Sequence, residues 1–277
     1  MLRDASAITS STIRASDGDI GTVADFLFDD TGWSIRWLVV ETGSWLSGRK
    51  VLLPPSVLGH PDLKEKNFPV RLTMQQVKDS PAIDTQQPVS RQMETDVYGY
   101  YGWNPYWSTG GYMGGGMGGM GSGFMGGPLS GGTMAATPGL AAAPASAGSA
   151  SAAPARHDGD PHLRSTKTVT GYYIEASDGA IGHVETFLVE DADWTIRYVV
   201  VDTKNWWPGR KVLIAPHVVR DIDWADKKLH LAFDRQKVKD SPAYDPDATK
   251  LDRPYDDAYR NYYGIGNASD RSARPGT

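Results

Sequence analysis

Cysteine is absent from all 277 residues, which excludes disulfides, thiol nucleophiles and zinc sites built on cysteine. Also missing is a long apolar run. The longest uncharged stretch is rich in Gly, Ser and Ala, too polar for a membrane span. The opening residues Met1-Leu2-Arg3-Asp4 lack the apolar core of a secretory signal, so the sequence predicts a cytoplasmic protein. Positive charge is scarce as well: 28 Lys plus Arg against 33 Asp plus Glu leave a net −5. The balance is −3 over 1–102 and −2 over 156–277, which disfavours nucleic acid and anionic membrane as partners. Between Asp96 and Arg156 charge of either sign vanishes for 59 residues, which hold 17 of the 31 glycines. Such a segment cannot bury enough apolar surface to offset its ordering entropy. Residues 108–162 are therefore expected to be a disordered Gly/Met/Ala/Pro-rich linker, and 266–277 a flexible tail.

What flanks the linker is a duplication. Ala15-Ser16-Asp17-Gly18 recurs as Ala176-Ser177-Asp178-Gly179, Gly48-Arg49-Lys50-Val51-Leu52 as Gly209-Arg210-Lys211-Val212-Leu213, and Lys78-Asp79-Ser80-Pro81 as Lys239-Asp240-Ser241-Pro242. The spacing is 161 residues throughout, so no insertion separates the motifs, and 24 of 44 positions are identical between 15–58 and 176–219. Two units follow, 1–102 with its aromatic C-terminal segment and 164–265, and because each carries all its motifs the reading predicts that they fold independently.

Inside a unit, short apolar runs with β-branched and aromatic residues alternate with Gly, Asp and Pro, the pattern of a mainly β fold. Asp17-Gly18 and Asp178-Gly179 mark tight turns. Strands are expected at Ile20–Phe28, Ser34–Glu41, Arg49–Leu53 and near Phe68–Leu72, with counterparts at Ile181–Val189, Thr195–Asp202, Arg210–Ile214 and near Lys228–Phe233. Thr73 and Asp234 read as N-caps of a short helix that Pro81 and Pro242 end. A further helix should follow each unit: Ser90, Met93, Val97 and Tyr101 have helical spacing, as do Tyr255, Tyr259 and Tyr262 between Pro254 and Gly264. About 80 residues with five or six short strands can avoid exposed edges by closing into a small barrel.

Asp17-Gly18-x-Ile20-Gly21-x-Val23, Trp33-x-Ile35-Arg36-x-x-Val39-Val40-x-Thr42, Gly48-Arg49-Lys50-Val51-Leu52 and Ser80-Pro81 together resemble the PRC-barrel family, and the motifs recur from Asp178 to Pro242. The resemblance implies two small PRC-type β-barrels, each with short C-terminal helices, used as docking or scaffolding modules without an active site. It is to stand-alone bacterial members and to the cytoplasmic domain of the photosynthetic reaction centre H subunit. The family also includes a domain of a ribosome maturation factor.

Catalysis finds little support in the residues. Nucleophilic chemistry needs Ser or Cys near a histidine and an orienting acid. Yet His60, His157, His162, His217 and His230 have no counterpart in the other copy, and His183 aligns with Thr22. Met113, Met117, Met120, Met125 and Met134 suggest copper(I) only weakly, because glycine around them gives no preorganisation. No catalytic, cofactor or metal site is expected. Asp17 and Asp178 read as turn residues, and Glu41 and Asp202 as ion-pair partners of nearby Arg and Lys. The candidates for partner contact are Trp45, Trp206 and Trp207 in loops, with Arg36, Arg49, Lys50, Arg197, Arg210 and Lys211 around them; packing of the tryptophans on their own barrel or on the other copy is the equal alternative.

These readings lead to a non-catalytic adaptor that binds a protein partner of unknown identity, with the two barrels pairing about a pseudo-twofold axis within one chain or between chains. Two alternatives are an accessory protein of a photosynthetic or respiratory membrane complex, and a ribosome- or RNA-associated factor.

Overall fold

A computed structural model describes residues 1–81, 89, 91–103, 160–203, 210–246 and 251–264. In chain order the first unit contains β1 (Leu2–Asp4), α1 (Ala5–Ile8), β2 (Thr12–Ala15), β3 (Gly18–Asp29), β4 (Ile35–Glu41), β5 (Lys50–Leu53), β6 (Asn67–Pro69), α2 (Met74–Asp79) and α3 (Arg91–Tyr101). The second contains β7 (Leu163–Ser165), α4 (Thr166–Val169), β8 (Tyr173–Ala176), β9 (Gly179–Glu190), β10 (Thr195–Asp202), β11 (Lys211–Ile214), β12 (Val219–Asp223), β13 (Lys228–Leu231), α5 (Arg235–Lys239) and α6 (Arg253–Tyr263). The mainly β class and the main strands agree with the sequence. Ser90 and most of the expected linker lie outside the described residues; its last three, 160–162, do not.

One sheet runs β5-β4-β3-β2-β6 and the other β11-β10-β9-β8-β13-β12. In both, the strand preceding the first hairpin pairs in parallel with a strand far along its unit, β2 with β6 and β8 with β13. The expectation of closed barrels needs correction: among the described residues no pairing joins the two ends of either path, so the sheets are bent but open. Bulges bend β3 against β4 between Val23 and Asp25, and β9 against β10 at the matching point. At that corner the backbones nearly touch: a Cβ built on Gly21 would sit 2.0 Å from the Glu41 carbonyl oxygen, and one on Gly182 2.0 Å from that of Asp202. No side chain fits there, which explains the glycine in both copies.

The helix caps follow the sequence. Thr73 forms a capping box with Gln76, and Asp234 accepts from the Lys237 N–H at 2.7 Å. Asp17 and Asp178 do more than shape their own turns, since each accepts the first N–H of the helix 57 residues later, Met74 at 2.7 Å and Arg235 at 2.8 Å. They tie the first hairpin to α2 and α5.

The largest departure concerns independence. β1 leaves its own unit to pair with β9, and β7 pairs with β3, so each sheet contains one strand from the other unit. One hydrophobic core runs through both units, from Ile8, Phe26 and Phe68 to Phe187, Leu213 and Tyr259, beside a smaller cluster around Trp37 and Tyr98 in the first. Units that exchange strands and share a core bury part of their apolar surface against each other, which couples the folding of one to the other.

Candidate interaction site at the seam

The seam obeys the 161-residue repeat. Leu2, Arg3 and Asp4 face Glu190, Val189 and Leu188; Leu163, Arg164 and Ser165 face Asp29, Phe28 and Leu27. On the pseudo-twofold axis Ser34 bridges Thr195. Beside it the Ile35 N–H donates to the Trp194 carbonyl, and the Ile196 N–H to the Trp33 carbonyl, both at 2.8 Å. Trp33 and Trp194 hold positive φ, 52° and 55°, a region costly for bulky residues. The gain is burial. Trp194 crosses into the first unit and stacks on Phe26 and Phe68, with centroids 6.1 and 5.5 Å away, while Trp33 packs on Phe28. Sequence reasoning recorded these tryptophans as motif residues and missed their role. Their signal is a tryptophan at a polar turn in both copies.

Polar contacts across the seam are also duplicated. Arg164 pairs with Asp30 at 2.9 Å and Arg3 with Asp191 at 3.1 Å, at matching positions. A second pair keeps its place but exchanges its chemistry. Asp4 accepts from the Thr186 hydroxyl at 2.7 Å, whereas at the twin site Asp25 accepts from the Ser165 and Thr166 hydroxyls and the Lys167 N–H. Ser165 stands where the first unit has Asp4, and Asp25 where the second has Thr186. Each of these two contacts therefore sets a single carboxylate against hydroxyl donors.

Arg36, expected at a docking rim, is instead 5% exposed and holds three acids. Asp29 is paired directly, Asp160 lies at 2.6 Å, and Glu94 of α3 at 3.7 Å. The reason for the correction is that these carboxylates come from a strand end, a helix and the approach to β7, and their combined charge offsets burial of the guanidinium. Burial alone would raise the Asp29 carboxyl, but the Gly32 and Thr31 N–H groups and Arg36 together hold it below its ordinary value. Glu94 also accepts from the Trp37 indole N–H at 2.5 Å, fixing α3 on the outer face of β4, where Tyr98 tilts against Trp37 and burial pushes its phenol up to about 12. The second unit repeats this with Tyr198, whose hydroxyl donates to Asp256 of α6 at 2.5 Å.

The remaining candidates scatter. Trp45 is half-buried on its own unit, its indole N–H donating to the Ile20 carbonyl, so it is not a free anchor. Arg49 donates to the Ser80 carbonyl and fixes the end of α2. Arg197 pairs with Asp193 at 2.8 Å and Lys211 with Glu185 at 2.6 Å. Arg210 is exposed, and Trp206 and Trp207 lie outside the described residues. The histidines do not converge: His162 contacts Asp30, His183 Asp202, His230 Glu175 and His60 Asp191. His157 is outside the described residues. Half-buried His217 has its pKa lowered by burial, with Arg260 adding to the effect.

Two of the candidates reach a cavity: Arg197 lines a smaller one beside Trp33 and Tyr259, and Lys50 lines the larger one at the seam. An open cleft of about 730 Å³ lies along the seam between the β3–β5 face and α4, with Trp224 at its far wall. Among the described residues no group of three or more His, Asp or Glu is placed to hold a metal ion, and no helix is long and apolar enough to cross a membrane.

Comparison with known proteins agrees with this architecture. The family model of the PRC-barrel domain matches residues 5–73, from α1 to the N-cap of α2. No curated protein matches the chain. The second unit, which that match does not include, repeats the same strand order at the same spacing. Residues 5–73 are thus identified as a PRC-barrel domain.

Proposed function

We propose that the protein is a non-catalytic cytoplasmic adaptor that binds a partner protein with its two units acting as one body. The observation that carries this reading is the strand exchange at the seam. Two units that share β1, β7 and one core hold their outer surfaces at fixed separation and orientation, and a preorganised surface loses less entropy on binding than two tethered modules. The PRC-barrel match supports a binding role over a chemical one. The scattered histidines are consistent with it.

The test is capture from cells with the full chain, comparing the native sequence with one lacking Met1–Asp4, which removes β1 and unlocks one side of the seam. The reading expects a partner set lost with β1 while the chain as a whole keeps its β signature in circular dichroism. Equal capture by both forms would show that a single unit suffices and would contradict the two-unit reading.

A further inference from the structure

The two units differ at one position where the repeat predicts sameness. In the second unit Lys211 is neutralised by Glu185 at 2.6 Å. The matching residues of the first unit, 161 earlier, are Lys50 and Ala24. Alanine lacks the carboxylate and the methylene that carries it, four heavy atoms in all, and the seam cleft opens there, lined by Ala24 and Lys50 together. From across the seam comes a second ammonium, Lys167, where the first unit carries Ser6. Among the described residues no carboxylate lies within ion-pair distance of Lys50 or Lys167.

Of the other three charges of the cleft, two are committed. Asp25 is engaged by the Ser165 and Thr166 hydroxyls and the Lys167 N–H. Arg164 pairs with Asp30 and lies over the Trp224 ring at 3.9 Å. Glu41 sits exposed at the rim, opposite Lys50 across the strand pair. Apolar wall comes from Leu27, Val39 and Tyr172. The volume falls in the range of small-molecule pockets, about 300–1,000 Å³.

We propose that this cleft binds a small organic monocarboxylate with an apolar body, its carboxylate between Lys50 and Lys167 and its body against Leu27, Val39 and Tyr172. A monoanion fits better than a phosphate. The cleft offers two point-like ammoniums and no uncommitted guanidinium fork, and Glu41 penalises a second negative charge. The site stands apart from the adaptor reading, because it needs only the seam and no partner.

The test uses the full chain and decanoate as probe, followed by calorimetric titration, with decan-1-ol as the neutral analogue. Ala24→Glu installs the acid that the second unit already carries beside Lys211, a substitution the fold has tolerated once. The proposal expects saturable one-to-one decanoate binding, at least tenfold weaker binding of decan-1-ol, and at least tenfold weaker decanoate binding after Ala24→Glu at unchanged melting temperature. Lys50→Ala with Lys167→Ala should reproduce that loss, and carries the test if Ala24→Glu folds poorly. No saturable decanoate binding into the millimolar range, equal binding of acid and alcohol, or undiminished binding by the folded variants would each overturn it.

Discussion

The two units have nearly the same backbone plan and differ in where they keep their charge. At the outer face of the central hairpin, Trp37 with Glu94 in the first unit matches Tyr198 with Asp256 in the second. One donor and one acid hold the C-terminal helix in both. Arg36 and Arg197 also match in sequence, yet the first is buried among three carboxylates and the second pairs with Asp193 at 37% side-chain exposure. The contrast teaches that a duplicated residue inherits its position and not its role. Asp160 ahead of β7 and Glu94 of α3 join Asp29 around Arg36 and make it an internal node. The exchange of Asp4–Thr186 for Ser165–Asp25 carries the same lesson across the seam. A seam built from two first units would set Asp4 against Asp25, two carboxylates, so the chain's chemistry favours unlike pairing.

The largest effects should come from the two seam tryptophans, of which Trp194 crosses into the other unit. Trp194→Ala removes an indole from the other unit's core and is expected to cost about 3–5 kcal/mol, read as a fall in denaturant midpoint. Trp33→Ala should match it if the seam is symmetric in energy as in geometry; a cost below about 1 kcal/mol for either would break the symmetry. Next comes the arginine pair. Arg36→Met strands three acids and should cost about 3–5 kcal/mol, whereas Arg197→Met removes one exposed ion pair and should cost about 0–1 kcal/mol. Similar losses for the two would contradict the internal node. Thr186→Asp sets a carboxylate against Asp4 and should cost about 1–3 kcal/mol, with Asp4→Thr added to it restoring most of the loss. A double variant as unstable as the single would show that the exchanged pair carries no coupling.

The smallest effect is on pH. Asp29 has a folded pKa below its ordinary 3.8, so its stabilisation is present above that value and is lost as pH falls through the folded one. Arg36→Met removes a cause of the depression and should flatten this acid limb. Tyr98 behaves oppositely: its pKa, raised from 10.0 to about 12, leaves stability intact below pH 10 and erodes it as pH rises toward 12. Equilibrium melts from pH 2 to 12 should show both limbs, the alkaline one weakened by Tyr98→Phe.

The sequence made the β-rich units legible because the evidence for them is local. Val-rich runs such as Val199-Val200-Val201 mark central strands, and Thr73 and Asp234 mark helix starts within a few residues of the backbone groups they cap. The seam was hidden for the opposite reason. β1 and β7 are three residues long, too short for any periodicity, and their partners lie about 135–190 positions away. Arg36 looked like a surface residue because two of its three acids, Glu94 and Asp160, lie about 60 and 124 residues further along the chain. The cleft did leave a trace, Ala24 against Glu185 with the lysine kept in both copies, visible only when mismatches in the repeat are read as closely as matches.

The central claim is that strand exchange and a common core make the two units one cooperative body. Scanning calorimetry of the full chain tests it most directly, by comparing the measured unfolding enthalpy with the van't Hoff enthalpy of the same transition. The shared core predicts one transition with a ratio near one. Two resolved transitions, or a single one with a ratio near two, would mean that the units melt separately and would contradict the account.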